Sequence, residues 1–287
     1  MDKQTVFSND VELGRLNKQN RIMLRCEGPI FRELFTGKSG LTVLDVGSND
    51  GEKTTRWFSD PAVSRVLGLE YNEALAQQAQ KTYGGEVFRF YPCDVEAEDF
   101  AARLEDILRR ENIAGFDLIY MSFLLSHLKA PDVLLRRLRR FLRSGGVLVA
   151  VDSDDSACAL EPEGGELYRE YVAFFSDDPY CGNRALGPQL PELLRACGYR
   201  KPVKRGGPII AGPEEPELRQ YIYDTYALLE EDLPLLRANY PHQAIYDRME
   251  RWLTENLAEM KRCFTADNAC VSMGITIVTC TAGTERH

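Results

Sequence analysis

The hydrophobic and polar positions along the chain change rhythm several times. Between residues 10 and 36 apolar side chains, among them Leu13, Leu16, Ile22, Met23 and Leu24, recur at helical spacing until Gly37, Lys38, Ser39 and Gly40 break the pattern. From Leu41 short apolar runs take over. Residues 42–46 read as a strand, and Gly47-Ser48-Asn49-Asp50-Gly51 as a loop that opens a helix over 52–58. The alternation continues with strand 66–70, helix 72–82, strand 86–91, helix 100–111, strand 116–121, helix 131–143 and strand 147–151. Five strands separated by helices predict right-handed crossovers and a parallel sheet covered on both faces, the α/β doubly wound class.

Beyond Asp152 the rhythm loosens. Helices are expected at 165–175 and 188–197, and a strand at 201–210. A stronger strand, rich in β-branched residues, is expected at 271–281. The segment between reads as mostly helical, with 221–236 and 243–263 as a helical insertion packed over the sheet edge. The expected division is a helical lid over 1–40, a sheet domain over 41–213 and 266–287, and the insertion over 214–265.

Composition narrows the function classes. Hydrophobic residues at 44% and charged residues at 28% are ordinary for a globular chain, which argues against disorder and against a membrane protein. A net charge of -9 repels a polyanion, so nucleic acid is not expected as a partner. The densest basic run, Arg136, Arg137, Arg139, Arg140 and Arg143, alternates with Leu134, Leu135, Leu138, Phe141 and Leu142 and reads as the solvated face of an amphipathic helix. None of the eight cysteines stands in a CxxC pair or a tight Cys/His cluster, so no metal is expected. The polar first ten residues and the lack of a long apolar run point to a cytoplasmic, soluble chain with free thiols.

In an open α/β sheet, ligands bind at the carboxyl ends of the strands, near the point where strand order reverses. The first loop is therefore the place to look for chemistry. Gly47 and Gly51 permit close approach of backbone and unusual dihedrals, and Asn49 is the residue type that best tolerates the left-handed region after glycine. The helix that follows directs a partly positive end at the ligand. The dinucleotide pattern G-x-G-x-x-G is absent, which weighs against a NAD-dependent oxidoreductase. Glu70 ends the second strand, where an acid can accept from both ribose hydroxyls, and Asp94 follows the third.

Residues 41–151 resemble the class I S-adenosylmethionine-dependent methyltransferases. Leu44-Asp45-Val46-Gly47-Ser48-Asn49-Asp50-Gly51 is similar to the family's first motif, with Asn49 where glycine is commonest. Phe116-Asp117-Leu118-Ile119-Tyr120-Met121-Ser122-Phe123 resembles its fourth motif, and Leu124-Leu125-Ser126-His127-Leu128 its histidine-leucine ending. Arg15-Leu16-Asn17-Lys18-Gln19 and Pro179-Tyr180-Cys181-Gly182-Asn183-Arg184 resemble segments of a small-molecule branch. The resemblance implies a mostly parallel, seven-stranded, Rossmann-like sheet with S-adenosylmethionine as cofactor. It places Asp45, Gly47, Ser48, Asn49, Gly51, Met121 and Ser122 at the methionine portion, Glu70 at the ribose with Tyr71 beside it, and Asp94 with the backbone of Val95 at the adenine.

Methyl transfer from a sulfonium is an in-line displacement, to which orientation contributes most and for which no triad is required. His127 is the candidate general base for a hydroxyl or protonated-nitrogen acceptor, and Asp152 lies at the rim after the fifth strand. Arg184 suits an anionic acceptor, and Tyr180 and Tyr223 an aromatic one. The expected partners are a small-molecule acceptor and at most a second copy of the chain, without nucleic acid or membrane. A methyltransferase-like protein that binds without turnover is the alternative of a different class.

Overall fold

The structure, a computed structural model, describes residues 10–177, 181–226, 228–239 and 244–283. It comprises two compact units, each assembled from three stretches of chain. One contains residues 27–152, 186–206 and 276–287, the other 1–26, 153–185 and 207–275.

The first of these holds a seven-stranded sheet. In chain order its elements are the end of α1 (Asp10–Phe35), β1 (Leu41–Val46), α2 (Glu52–Phe58), β2 (Val63–Glu70), α3 (Glu73–Tyr83), β3 (Phe88–Pro92), α4 (Phe100–Glu111), β4 (Phe116–Ser122), α5 (Pro131–Arg139) and β5 (Leu142–Ser153). After a stretch belonging to the other unit come α7 (Leu186–Ala196), β7 (Arg200–Gly206) and β10 (Ile275–Thr281). The strand order is β3-β2-β1-β4-β5-β10-β7, with β1 parallel to β2 and β4, β2 parallel to β3, β4 parallel to β5, and β10 antiparallel to β7. This is the expected Rossmann-like architecture.

Every residue of β1 is buried, as a central parallel strand requires. Side chains alternate across the sheet. Leu44, Val46, Ile119 and Met121 meet Phe100 and Leu104 of α4, Leu134 and Leu138 of α5, and Leu190 and Leu194 of α7 in one apolar cluster. Tyr120, between Ile119 and Met121, packs edge-on against Phe31 of α1 and Phe58 of α2, at centroid distances of 5.4 and 5.6 Å.

The other unit holds a three-stranded antiparallel sheet, ordered β6-β9-β8, of β6 (Ala159–Glu161), β8 (Ile209–Ala211) and β9 (Cys270–Met273). With it go α6 (Gly165–Asp177), α8 (Pro216–Tyr226), α9 (Leu228–Asn239) and α10 (Ala244–Thr265). Its core is aromatic. Tyr168 packs edge-on against Tyr226 and Phe264, and Tyr171 lies against Phe175 and Trp252.

Three expectations are corrected. The helix expected to 143 ends at Arg139, and β5 starts at Leu142 because Phe141 already accepts from the amide of Phe116 beside it. The strand expected over 201–210 is two strands in different sheets, parted at Gly207 and Pro208, where proline removes a donor. The strand expected over 271–281 is likewise β9 and β10, parted at Gly274. A Cβ on Gly274 would stand 1.7 Å from the carbonyl oxygen of Asp154, so only glycine passes there.

Candidate active site

The sheet order reverses between β1 and β4, and the carboxyl ends of β1, β2, β3 and β4 carry most of the expected residues. The loop after β1 has three left-handed residues, Gly47 (φ 83°), Asn49 (φ 49°) and Gly51 (φ 80°). Amides of Gly47 and Ser48 both donate to the carbonyl of Leu69, at 2.8 and 3.0 Å, which ties the loop to β2. Gly47 is exposed backbone, and a Cβ there would meet Leu124 at 3.3 Å. Gly51 is glycine for another reason. It is buried, and a Cβ would stand 2.9 Å from the Phe90 ring and 3.0 Å from Ala79, so the packing of helix on sheet also requires glycine there.

Three acids follow from three adjacent strands. Asp45 is buried and accepts from the Thr54 hydroxyl at 2.6 Å; burial pushes its pKa up to about 6, against the lowering effects of that bond and of the Lys53 charge. Glu70 accepts from the amides of Asn49 (2.9 Å) and Asn72 (2.8 Å), and burial raises its pKa. With a further backbone bond from Tyr71, the carboxylate keeps one of its about four acceptor positions for a ligand. Asp94 closes a local turn by accepting from the amide of Glu96 at 2.9 Å, beside buried Val95. Tyr71, next to Glu70, is 53% exposed, unusual for so large an aromatic.

At the end of β4, Met121 is fully buried and Ser122 accepts from the Lys53 ammonium at 2.7 Å. Phe123 follows with φ 52°, a left-handed dihedral that costs a bulky residue strain, and its amide donates to Val151 at 2.8 Å. Asp152, expected at the rim after the fifth strand, instead lies within β5, which runs on to Ser153; it is wholly buried and accepts from the amide of Ser126 at 3.1 Å, so it holds the turn of residues 125–127. His127, half-buried, ends that turn.

The acceptor candidates have different surroundings. In its own unit Arg184 forms a two-pronged pair with Asp155, at 3.0 and 2.9 Å, and lies over the rings of Phe175 and Tyr226. Its fork is filled by an internal carboxylate. Tyr223 donates to Glu230 and lies under the Lys261 ammonium at 5.4 Å. Tyr180 lies outside the described residues.

Sequence reading missed a charged cluster on the Tyr120 side of the sheet. Glu27 of α1, Lys53 and Trp57 of α2, and Tyr120 of β4 converge there. The one sequence signal was Lys53 two residues past the glycine loop; the approach of Glu27 is a long-range contact with no local signature.

Residues 44–148 match a family model described as a methyltransferase domain. No curated protein matches the chain. Among solved structures, the YcgJ protein from Bacillus subtilis is 16% identical with a TM-score of 0.54, over 91% of this chain and 99% of its own. Haemonchus contortus phosphoethanolamine N-methyltransferase 2, in complex with phosphomonomethylethanolamine and S-adenosylhomocysteine, is 15% identical with a TM-score of 0.51, over 98% of this chain and 60% of its own. A chain of the complex between the Haloferax volcanii Trm112 methyltransferase activator and a methyltransferase is 13% identical, with a TM-score of 0.52 and 100% of both chains covered. At these identities the structural likeness speaks for the fold.

Proposed function

We propose that this chain, which carries a methyltransferase domain on a Rossmann-like fold, transfers the methyl group of S-adenosylmethionine to an oxygen, nitrogen or carbon of a small-molecule acceptor. The observation that carries the reading is the set of three acids, Asp45, Glu70 and Asp94, on adjacent strands around a left-handed glycine loop at the point of strand reversal.

The residues fit that cofactor. An adenosine carrying ammonium and sulfonium groups presents hydroxyls and cations, and the strand ends offer carboxylates to both. The Ser48 hydroxyl is buried without a partner among the described residues, as expected of a loop whose remaining partner is a ligand. Exposed Tyr71 beside Glu70 offers an apolar face to a purine. Glu70 would hold the ribose, Asp94 and the Val95 backbone the adenine, and Gly47, Ser48 and Ser122 the methionine portion. The bound group supplies an electrophilic methyl carbon; the chain supplies orientation and a site shielded from water.

Asp152 supports the turn that carries His127, which makes it a positioning residue and leaves His127 to take a proton from a hydroxyl or ammonium acceptor. His127→Asn is expected to lower kcat by about 10²-fold or more at unchanged donor affinity. Unchanged kcat removes that role.

The reading is tested by calorimetric titration with S-adenosylmethionine and, separately, with NAD, on the wild type and on Glu70→Gln. The wild type should bind the first and ignore the second, and Glu70→Gln should bind about tenfold or more weakly. A wild type that binds no S-adenosylmethionine leaves only the fold standing.

A further inference from the structure

α1 carries a carboxylate into the interior of the seven-stranded unit. Glu27 is fully buried, and three donors reach it: the Trp57 indole N–H, the Tyr120 hydroxyl at 2.8 Å and the Lys53 ammonium at 3.5 Å. Lys53 keeps 16% of its side chain exposed and is held by several neighbours. It lies 5.3 Å from the Trp57 ring centroid and 5.2 Å from that of Tyr120, and donates to Ser122 Oγ at 2.7 Å.

An ion pair removed from water is a poor way to hold a helix in place, since apolar groups of the same volume do as well or better. Phe31, Phe35 and Phe58 already join α1 to α2 through apolar contact. The cluster therefore calls for a role beyond stability, and its position supplies one. Lys53 follows the glycine loop and its partner Ser122 closes β4, so the ammonium lies at the carboxyl ends of β1 and β4, where the strand order reverses. Asp45 feels the charges of Lys53, Glu27 and Glu70 together, so all four belong to one electrostatic cluster. Among the described residues Lys53 is the cation of that cluster and the others are acids.

A ligand whose amino-acid end has one carboxylate, an ammonium and a sulfonium meets one complementary cation and several acids. That charge pattern fixes which way round the amino acid sits. We propose that Lys53 binds the α-carboxylate of S-adenosylmethionine and that Glu27 is the positioning residue that keeps the Lys53 ammonium at the end of β4. The proposal rests on the reading of the domain as a binder of S-adenosylmethionine.

The test compares affinities for S-adenosylmethionine and its decarboxylated form, by calorimetry, in the wild type, Lys53→Met and Glu27→Gln. The wild type is expected to prefer the carboxylate form about tenfold to a hundredfold, the range of a charge-assisted hydrogen bond. Lys53→Met should bring the ratio to about one, and Glu27→Gln should lower it part of the way. Lys53→Met leaves Glu27 buried without its cation, so the double variant Lys53→Met/Glu27→Gln, which removes both charges, separates loss of binding from loss of fold through its thermal midpoint. A ratio unchanged by Lys53→Met, equal weakening of both ligands, or a wild type that binds both forms equally overturns the assignment of Lys53. A wild type that binds neither form overturns instead the reading of the cofactor.

Discussion

Asp45 shows what a single residue in the first strand contributes. It was legible as the acid that precedes a glycine loop, but its burial, its Thr54 partner and its pKa of about 6 were not, because they depend on neighbours that only folding brings together. Since the folded pKa lies above the ordinary carboxylate value, the folded chain holds this proton more tightly than the unfolded chain does. The resulting stabilisation is present below about pH 4 and is lost as pH rises through about 6. Asp45→Asn is therefore expected to gain stability relative to the wild type between pH 4 and pH 8, on the order of 3 kcal/mol for a shift of about two pH units. Urea unfolding at the two pH values checks this, and a difference that does not change with pH contradicts it. Gly51 teaches the complementary lesson. The sequence marked it as a loop glycine, and only the folded chain shows that the Phe90 ring and Ala79 also leave no room for a side chain there.

At the scale of elements, the alternation of apolar runs with helical periods located β1 to β5 and α1 to α5 within about five residues, because each of these strands and helices carries its own apolar pattern to bury. The elements after β5 were harder to read. Short strands such as β6 and β8, three residues each, carry too few alternating positions to stand out. The β-branched residues on both sides also hid the break between β9 and β10, since Gly274 marks a bend or close backbone approach but does not say that the chain is changing sheets. Gly274→Ala tests the packing reason. A methyl 1.7 Å from the Asp154 carbonyl must displace the backbone on one side, so the variant should lose about 3 kcal/mol or more, or fail to fold, as read from its chemical denaturation midpoint. A variant as stable as the wild type means that the two segments can separate without strain.

At the scale of the whole molecule, all eight cysteines are free, and five of them, Cys93, Cys158, Cys197, Cys263 and Cys280, are buried. Cys26, Cys181 and Cys270 are partly accessible. A thiol reagent should therefore modify no more than those three quickly in the native protein and all eight after denaturation, with a reductant leaving the thermal midpoint unchanged. Rapid modification of a buried one, or a midpoint that falls on reduction, contradicts this. No described helix is long and apolar enough to cross a membrane. The chain by itself determined the sheet class, the glycine loop and the acids at the strand ends, because each is written in a local pattern of a few residues with a fixed period or spacing. Tertiary structure alone decided that residues 153–185 group with 207–275 around a second sheet, that Arg184 is matched to Asp155, and that Glu27 reaches Lys53 beneath Tyr120. Those pairings join residues far apart in the chain, and nothing local in a sequence records which distant partner a buried charge or a short strand will meet.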